Sequence, residues 1–274
     1  MSTGQIESAM VNTTLAAQLK RLWDNNDKLW EERVNKELLI PLDARGGFTI
    51  QQDEDGVTIT ALGPAMETFR AVQVLCNPHV IEAFWADGFV LTRNLFETFV
   101  TLEWIELDRK ERAQLYKDEY VLKMAHFLRM VGKKEVRPEK LKEIHEWHED
   151  VIRRRKCGHG KQMLLPNLAE RTREVATKLP SEYPRLQWEY DMYYRDVSAY
   201  AHSSGWGLWS TLPRNEGPLE MKSNPQLGIR ALMCNGAWLL RVIRVWNKVS
   251  LVLPDFQLKT WEAEWTATIC HVGL

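Results

Sequence analysis

The sequence predicts an all-α, multi-helix bundle with a small N-terminal β-hairpin. Three observations predict it. Apolar residues recur at helical spacing along most of the chain. One segment, GFVLTRNLFETFVTLEWIEL (88–107), is apolar nearly all round, as a central bundle helix must be. Strand-type alternation is confined to one short stretch near the N-terminus. The organisation expected is a single helical domain over 1–274. Residues 1–63 form an N-terminal helix and hairpin, and 64–274 the bundle core.

The elements follow in order. Leu15, Leu19, Leu22, Trp23, Leu29, Trp30 and Val34 give a helix from about Thr14 to Leu39, stopped by Pro41. Phe48–Ile50 and Val57–Thr60 alternate apolar and polar around the turn residues Asp53–Gly56, which predicts the hairpin. Pro64 suits the first turn of a helix running to about Leu75, and Asn77-Pro78 breaks it. The next helix runs from about Pro78 or Val80 to Leu107, with a distortion expected at Asp87-Gly88. Charged amphipathic helices follow over Asp108–Met130 and Pro138–Lys156, with a loop at Cys157–Gly160. Further helices are predicted over Asn167–Lys178, Tyr183–Ala201, Leu227–Leu253 and Phe256–Cys270. Between Ser203 and Pro225, three prolines and three glycines predict a long loop.

Composition narrows the function classes. Hydrophobic residues make up 45% and charged residues 27%, which excludes a wholly disordered chain. The 36 basic and 37 acidic residues leave a formal charge of −1, so nucleic acid must be met by a local patch. Four cysteines, at 76, 157, 234 and 270, are too sparse for a disulfide framework and fit a reducing cytoplasm. No signal peptide or membrane span is expected. The most apolar late segment carries Arg230, Arg241, Arg244 and Lys248. The twelve tryptophans read as core anchors or as an aromatic interface.

Three constellations carry candidate chemistry. The first is Tyr193–His202, YYRDVSAYAH. Arg195 and His202 are seven apart, about 20° around a helix, with Ser198 between them and Asp191 one turn earlier. One stripe then presents a carboxylate, a guanidinium, a hydroxyl and an imidazole, with His202 at a helix C-terminus that favours its charged form. The plain structural reading is an Asp191–Arg195 pair and a capping histidine. The second is Arg93 with Glu97, one turn apart in the very apolar helix. Such a pair must be matched to be buried. It either fixes helix register or faces the Arg195–His202 stripe as the other wall of a polar pocket. The third is His145-x-x-His148 with Cys157-x-His159, zinc-capable residues whose spacing matches no standard zinc motif. Their surroundings, EKLKEIHEWHEDVIRRRK, look like a solvated, salt-bridged face. Arg153–Lys156 with Lys161 is the best local phosphate patch. No Walker A loop, G-x-G-x-x-G or G-x-S-x-G is present.

Two resemblances meet at these residues. LTRNLFETFVTLEWIELD (91–108) together with YRDVSAYAHSS (194–204) resembles an uncharacterised bacterial helical family. That family has an arginine–glutamate helix followed by a tyrosine–arginine–serine–histidine helix. The likeness covers roughly Phe84 to Leu208 and implies architecture rather than activity. More loosely, Arg195-Asp196 with His202 is similar to the HEPN signature, an arginine, usually followed by a polar residue, with four to six residues intervening before a histidine; here six intervene. HEPN domains are all-α bundles, commonly dimeric. Many are metal-independent endoribonucleases of toxin–antitoxin and phage-defence systems, and some bind without cutting.

That resemblance implies a cytoplasmic homodimer that cleaves RNA without a cofactor and has an antitoxin or defence-system partner. His202 would be the acid/base and Arg195 the phosphate clamp. On the stripe reading Ser198 and Asp191 orient them. Arg93 and Glu97, nominated on buried charge alone, join Tyr194 and Tyr200 as substrate-binding candidates. The alternatives are a non-catalytic interaction module and a zinc-stabilised protein using His145, His148, Cys157 and His159.

Overall fold

The computed structural model describes residues 56–77, 81–131, 138–157, 164–195, 197–198, 225–251 and 253–271, with scattered residues between 17 and 28. They form eight α-helices and one π-helical segment. These are α1 (Gly56–Leu75), α2 (Ile81–Glu106), α3 (Arg109–Val131), α4 (Pro138–Arg155), α5 (Leu168–Lys178), α6 (Leu186–Glu189), the π segment (Tyr190–Tyr194), α7 (Pro225–Ser250) and α8 (Asp255–His271). No strand occurs among the described residues. The all-α expectation therefore holds and the hairpin does not.

The hairpin fails for a visible reason. Val57–Thr60 alternates, but the same residues open a longer stripe. Thr58, Leu62, Ala65, Phe69 and Val72 are buried at alternating four- and three-residue spacing along α1. Burial over about four turns outweighs the strand preference of four β-branched residues. Thr60 turns its hydroxyl back to the Gly56 carbonyl at 2.6 Å, so it is satisfied within the helix. The proposed first strand, Phe48–Ile50, lies outside the described residues. Pro64 stands well inside α1 rather than in its first turn, removing one rung of the ladder.

Helix α2 is the central element. It packs most extensively against α7 and α1, and α1 also packs on α7. Phe89, Leu95, Phe96, Phe99, Val100 and Ile105 of α2 are buried. They belong to one apolar cluster with Phe69, Leu239, Ile243, Trp246, Trp261 and Trp265. The helix passes straight through Asp87-Gly88, where a distortion was expected. Gly88 serves close approach instead: a Cβ there would lie 2.6 Å from Cys76 Sγ. Several tryptophans are core anchors, as expected, since Trp104, Trp238, Trp246, Trp261 and Trp265 are buried.

The remaining helices brace this core. A tight turn joins α2 to α3, with the Asp108 amide donating to the Ile105 carbonyl at 3.1 Å. Helices α3 and α4 pack together around buried Asp118, which accepts from Arg154 at 3.0 Å and Arg155 at 2.6 Å. Arg154 also reaches Asp150, and Arg155 reaches Glu111. The basic patch at the end of α4 is thus partly spent on ion pairs. Helix α5 opens with a capping box, Asn167 with Glu170, and lies against α2. The predicted helix over Tyr183–Ala201 is broken up: a turn, the short α6, the π segment and a helical continuation at Arg195, Val197 and Ser198. Helix α7 ends where Asn247 bonds both the amide and the carbonyl of Leu253, at 2.8 and 2.9 Å.

A half-buried polar cluster between α2, α5 and the π segment

The candidate site grows from α2. Arg93 and Glu97 stand one turn apart, with Arg93 Nε donating to Glu97 Oε1 at 2.6 Å. The same carboxylate oxygen accepts the Tyr194 hydroxyl at 2.7 Å. The Arg93 guanidinium lies over the Tyr194 ring, 5.3 Å from its centroid. The pair that sequence reasoning found in the apolar helix is therefore matched by the π segment, through its tyrosine.

The π-helical turn sets this geometry. Tyr190 and Tyr194 stack with centroids 5.2 Å apart and 15° between planes. Phe96 of α2 packs on Tyr194 at 5.3 Å. Single π turns inside α-helices widen the backbone locally and re-aim side chains. Here the turn directs two consecutive tyrosines inward. Tyr193 meets Phe89 and Trp238 edge-on, at 5.2 and 4.9 Å.

From α5, Arg171 enters the same region. Its Nη1 donates to Thr101 Oγ1 at 2.5 Å, and Thr101 in turn donates to the Glu97 carbonyl at 2.6 Å. Arg171 Nε is buried and makes no hydrogen bond among the described residues. Ser198, one turn beyond Tyr194, turns its hydroxyl toward that phenol. Its buried Oγ completes no hydrogen bond by distance and angle among the described residues.

Electrostatics follow the burial. Burial, then the hydrogen bond to Glu97, pushes the Tyr194 phenol above its ordinary value. Burial pulls the Arg93 guanidinium down, but its bond to Glu97 and that carboxylate's charge outweigh it and raise the net value. Arg171 goes the other way. Burial lowers it, and the charges of Glu119 and Glu97 only partly offset the loss of water. At neutral pH Tyr194 is a fixed donor rather than a proton carrier.

The structure divides the predicted stripe. Arg195 is 69% exposed and Asp191 46%, with Nη1 and Oδ1 3.9 Å apart, a loose surface pair. Ser198 Oγ is buried instead. Asp196, Tyr200 and His202 lie outside the described residues, as does the 203–224 stretch. On α4, ligand atoms of His145, His148 and Glu149 lie within 4.8 Å of one another, and Cys157 is not in that group. His159 lies outside the described residues.

A family model matches residues 55–217, well over half of the chain. The chain belongs to a family of unknown function, DUF5677. The match takes in Arg93, Glu97, Arg171, Tyr194 and Arg195, and it agrees with the resemblance carried by the arginine–glutamate and tyrosine–arginine–serine–histidine segments. No curated protein and no solved structure matches the chain.

Sequence reasoning missed Thr101 and Arg171. A signal for Arg171 existed. It stands three residues after Leu168 and four before Val175, on the inward side of α5. An arginine in such a stripe is a buried charge waiting for a partner.

Proposed function

We propose that this DUF5677 chain is a HEPN-like, metal-independent endoribonuclease in which Arg195 clamps phosphate and His202 moves the proton. The observation that carries the reading is the state of Arg195. Its guanidinium is open to solvent and only loosely held by Asp191, while the adjacent Tyr194 ties the same turn to α2. A free fork on a braced backbone is what a phosphate clamp needs.

The chemistry balances without a cofactor. The 2′-hydroxyl of RNA attacks the neighbouring phosphorus as its proton leaves for a base. The P–O5′ bond breaks, and the 5′-oxygen takes a proton from an acid. The products are a 2′,3′-cyclic phosphate and a 5′-hydroxyl. In a homodimer two copies of His202 supply base and acid. DNA lacks the nucleophile and is not cut. The role that suits such an enzyme is a toxin or phage-defence effector held by a partner protein.

The test is RNA cleavage in excess chelator. Wild type should cut and leave cyclic-phosphate ends, and His202→Ala and Arg195→Ala should not. Equal cutting by a clean His202→Ala preparation removes the catalytic assignment.

A non-catalytic interaction module is favoured by a different observation. Trp188 and Met192, one turn apart just before Arg195, are 60% and 61% exposed. If they form a contact surface, Trp188→Ser abolishes association and no RNA is turned over by wild type.

A further inference from the structure

We infer that Arg171 is a second phosphate-binding residue, forming with Arg93, Thr101, Tyr194 and Ser198 a backbone-phosphate subsite for the RNA. This rests on the ribonuclease reading for its ligand class, but the geometry behind it is separate from the Arg195–His202 motif.

The argument starts from what Arg171 lacks. A guanidinium removed from water ordinarily finds a carboxylate within ion-pair distance, because burying an unpaired charge is costly. Other half-buried arginines here obey the rule. Arg112 reaches Glu174 at 2.5 Å, Arg155 reaches Asp118 at 2.6 Å, and Arg241 bonds Glu189 twice. Arg171 has no carboxylate within that distance among the described residues. Its nearest acids are otherwise engaged. Glu97 accepts from Arg93 and Tyr194. Glu119 accepts from the Leu164 and Leu165 amides at 3.0 and 2.6 Å and pairs with Lys123 at 2.5 Å.

The unused part of Arg171 has a definite shape. Nη1 is taken by Thr101. Nε is buried and makes no hydrogen bond among the described residues, and Nη2 lies beside it on the guanidinium. Those two nitrogens form the side-on edge of a guanidinium, which presents parallel N–H groups to two oxygens of one phosphate. Ser198 Oγ, buried beside the Tyr194 phenol, is a second group that completes no hydrogen bond among the described residues. A buried guanidinium nitrogen with no acceptor and no carboxylate in reach is better explained by an absent hydrogen-bonding partner than by packing. Arg93 adds a second guanidinium from α2.

The experiment measures binding of a 2′-O-methyl oligoribonucleotide, which lacks the nucleophile and cannot be cut. Its affinity for wild type, Arg171→Met and Arg171→Lys is read over a series of salt concentrations. Arg171→Met should weaken binding about tenfold and reduce the salt slope by about one. Arg171→Lys should keep most of the slope yet lose several-fold in affinity, because the paired fork is gone. Melting curves establish that the variants are folded, and Arg171→Lys carries the comparison if Arg171→Met is not.

Unchanged affinity and slope in the folded variant overturn the subsite, as does failure of wild type to bind. The two readings fail separately. If His202→Ala abolishes cutting while Arg171 variants bind normally, the ribonuclease stands and the subsite falls. If binding depends on Arg171 but cutting survives His202→Ala, the subsite stands and the catalytic assignment falls.

Discussion

Two carboxylates six residues apart on α2 receive the same kinds of partner and end in different states. Glu103 accepts the Tyr183 hydroxyl and the Lys248 ammonium, the latter at 3.0 and 3.2 Å. Glu97 accepts the Tyr194 hydroxyl and the Arg93 guanidinium. Around Glu103 the inventory closes: its side chain is 1% exposed and Lys248 also reaches Glu182 at 3.4 Å. Around Glu97 it does not, because Arg171 Nε and Ser198 Oγ are left over. A completed buried network holds helices in register. An incomplete one leaves buried donors without acceptors, which is costly.

The largest expected effect sharpens the open side. His202→Ala and Arg195→Ala should each lower RNA cleavage by about 10²–10⁴-fold with the melting temperature essentially unchanged. A fall in melting temperature matching the fall in activity would make these residues structural and erase the contrast. The next effect tests the closed side. Glu103→Ala strands the Tyr183 hydroxyl, leaves Lys248 with Glu182 and should cost about 1–3 kcal/mol in urea unfolding. A cost below about 1 kcal/mol would show that the Glu103 cluster is no more structural than the Glu97 one.

Alkaline stability separates the two tyrosines. Burial raises the Cys76 thiol from 9.0 to about 12. The unfolded thiol therefore ionises first, and stability present below pH 9 is lost as pH rises toward 12. The slope is about 1.4 kcal/mol per pH unit from this group. Cys76→Ala should flatten that limb. Above about pH 10 the tyrosines add to it with the same sign, since both phenols are raised. Tyr183 is raised further, by deeper burial and by the Glu103 charge. Tyr183→Phe should remove more of the high-pH limb than Tyr194→Phe, as read by unfolding at pH 9 to 11.

The smallest effect is at neutral pH. Tyr194→Phe deletes one hydrogen bond and should cost about 0.5–1.5 kcal/mol, and Tyr183→Phe, which leaves a buried acceptor short, about 1–3 kcal/mol. Reversal of that order in chemical unfolding would break the comparison.

Much of this was legible in the sequence, and the failures have physical causes. The all-round apolar pattern of 88–107 marked the central helix, and the costly Arg93–Glu97 pair inside it marked the place where a partner had to come. Tyr194 was nominated beside it. The alternation of Val57–Thr60 misled because four residues fit both periods, and only the stripe continuing to Val72 decides between them. The stripe from Asp191 to Ser198 assumes a regular helix, and the π segment shifts Arg195 and Ser198 together in phase relative to the residues before it. Arg171 escaped because one arginine among the charges of LAERTREVATK looks solvated until the partner helix is known.

The π segment also fixes the phase of everything after it. It holds one residue more than the turn it replaces. If the same residues closed there as ordinary α, each following side chain would swing by about 100°. Tyr194 would leave Glu97, Ser198 would turn from the interior and Arg195 would point in a new direction, with no change in composition. The wide turn thus absorbs one extra residue, and the aim of the exposed guanidinium depends on the turn staying wide.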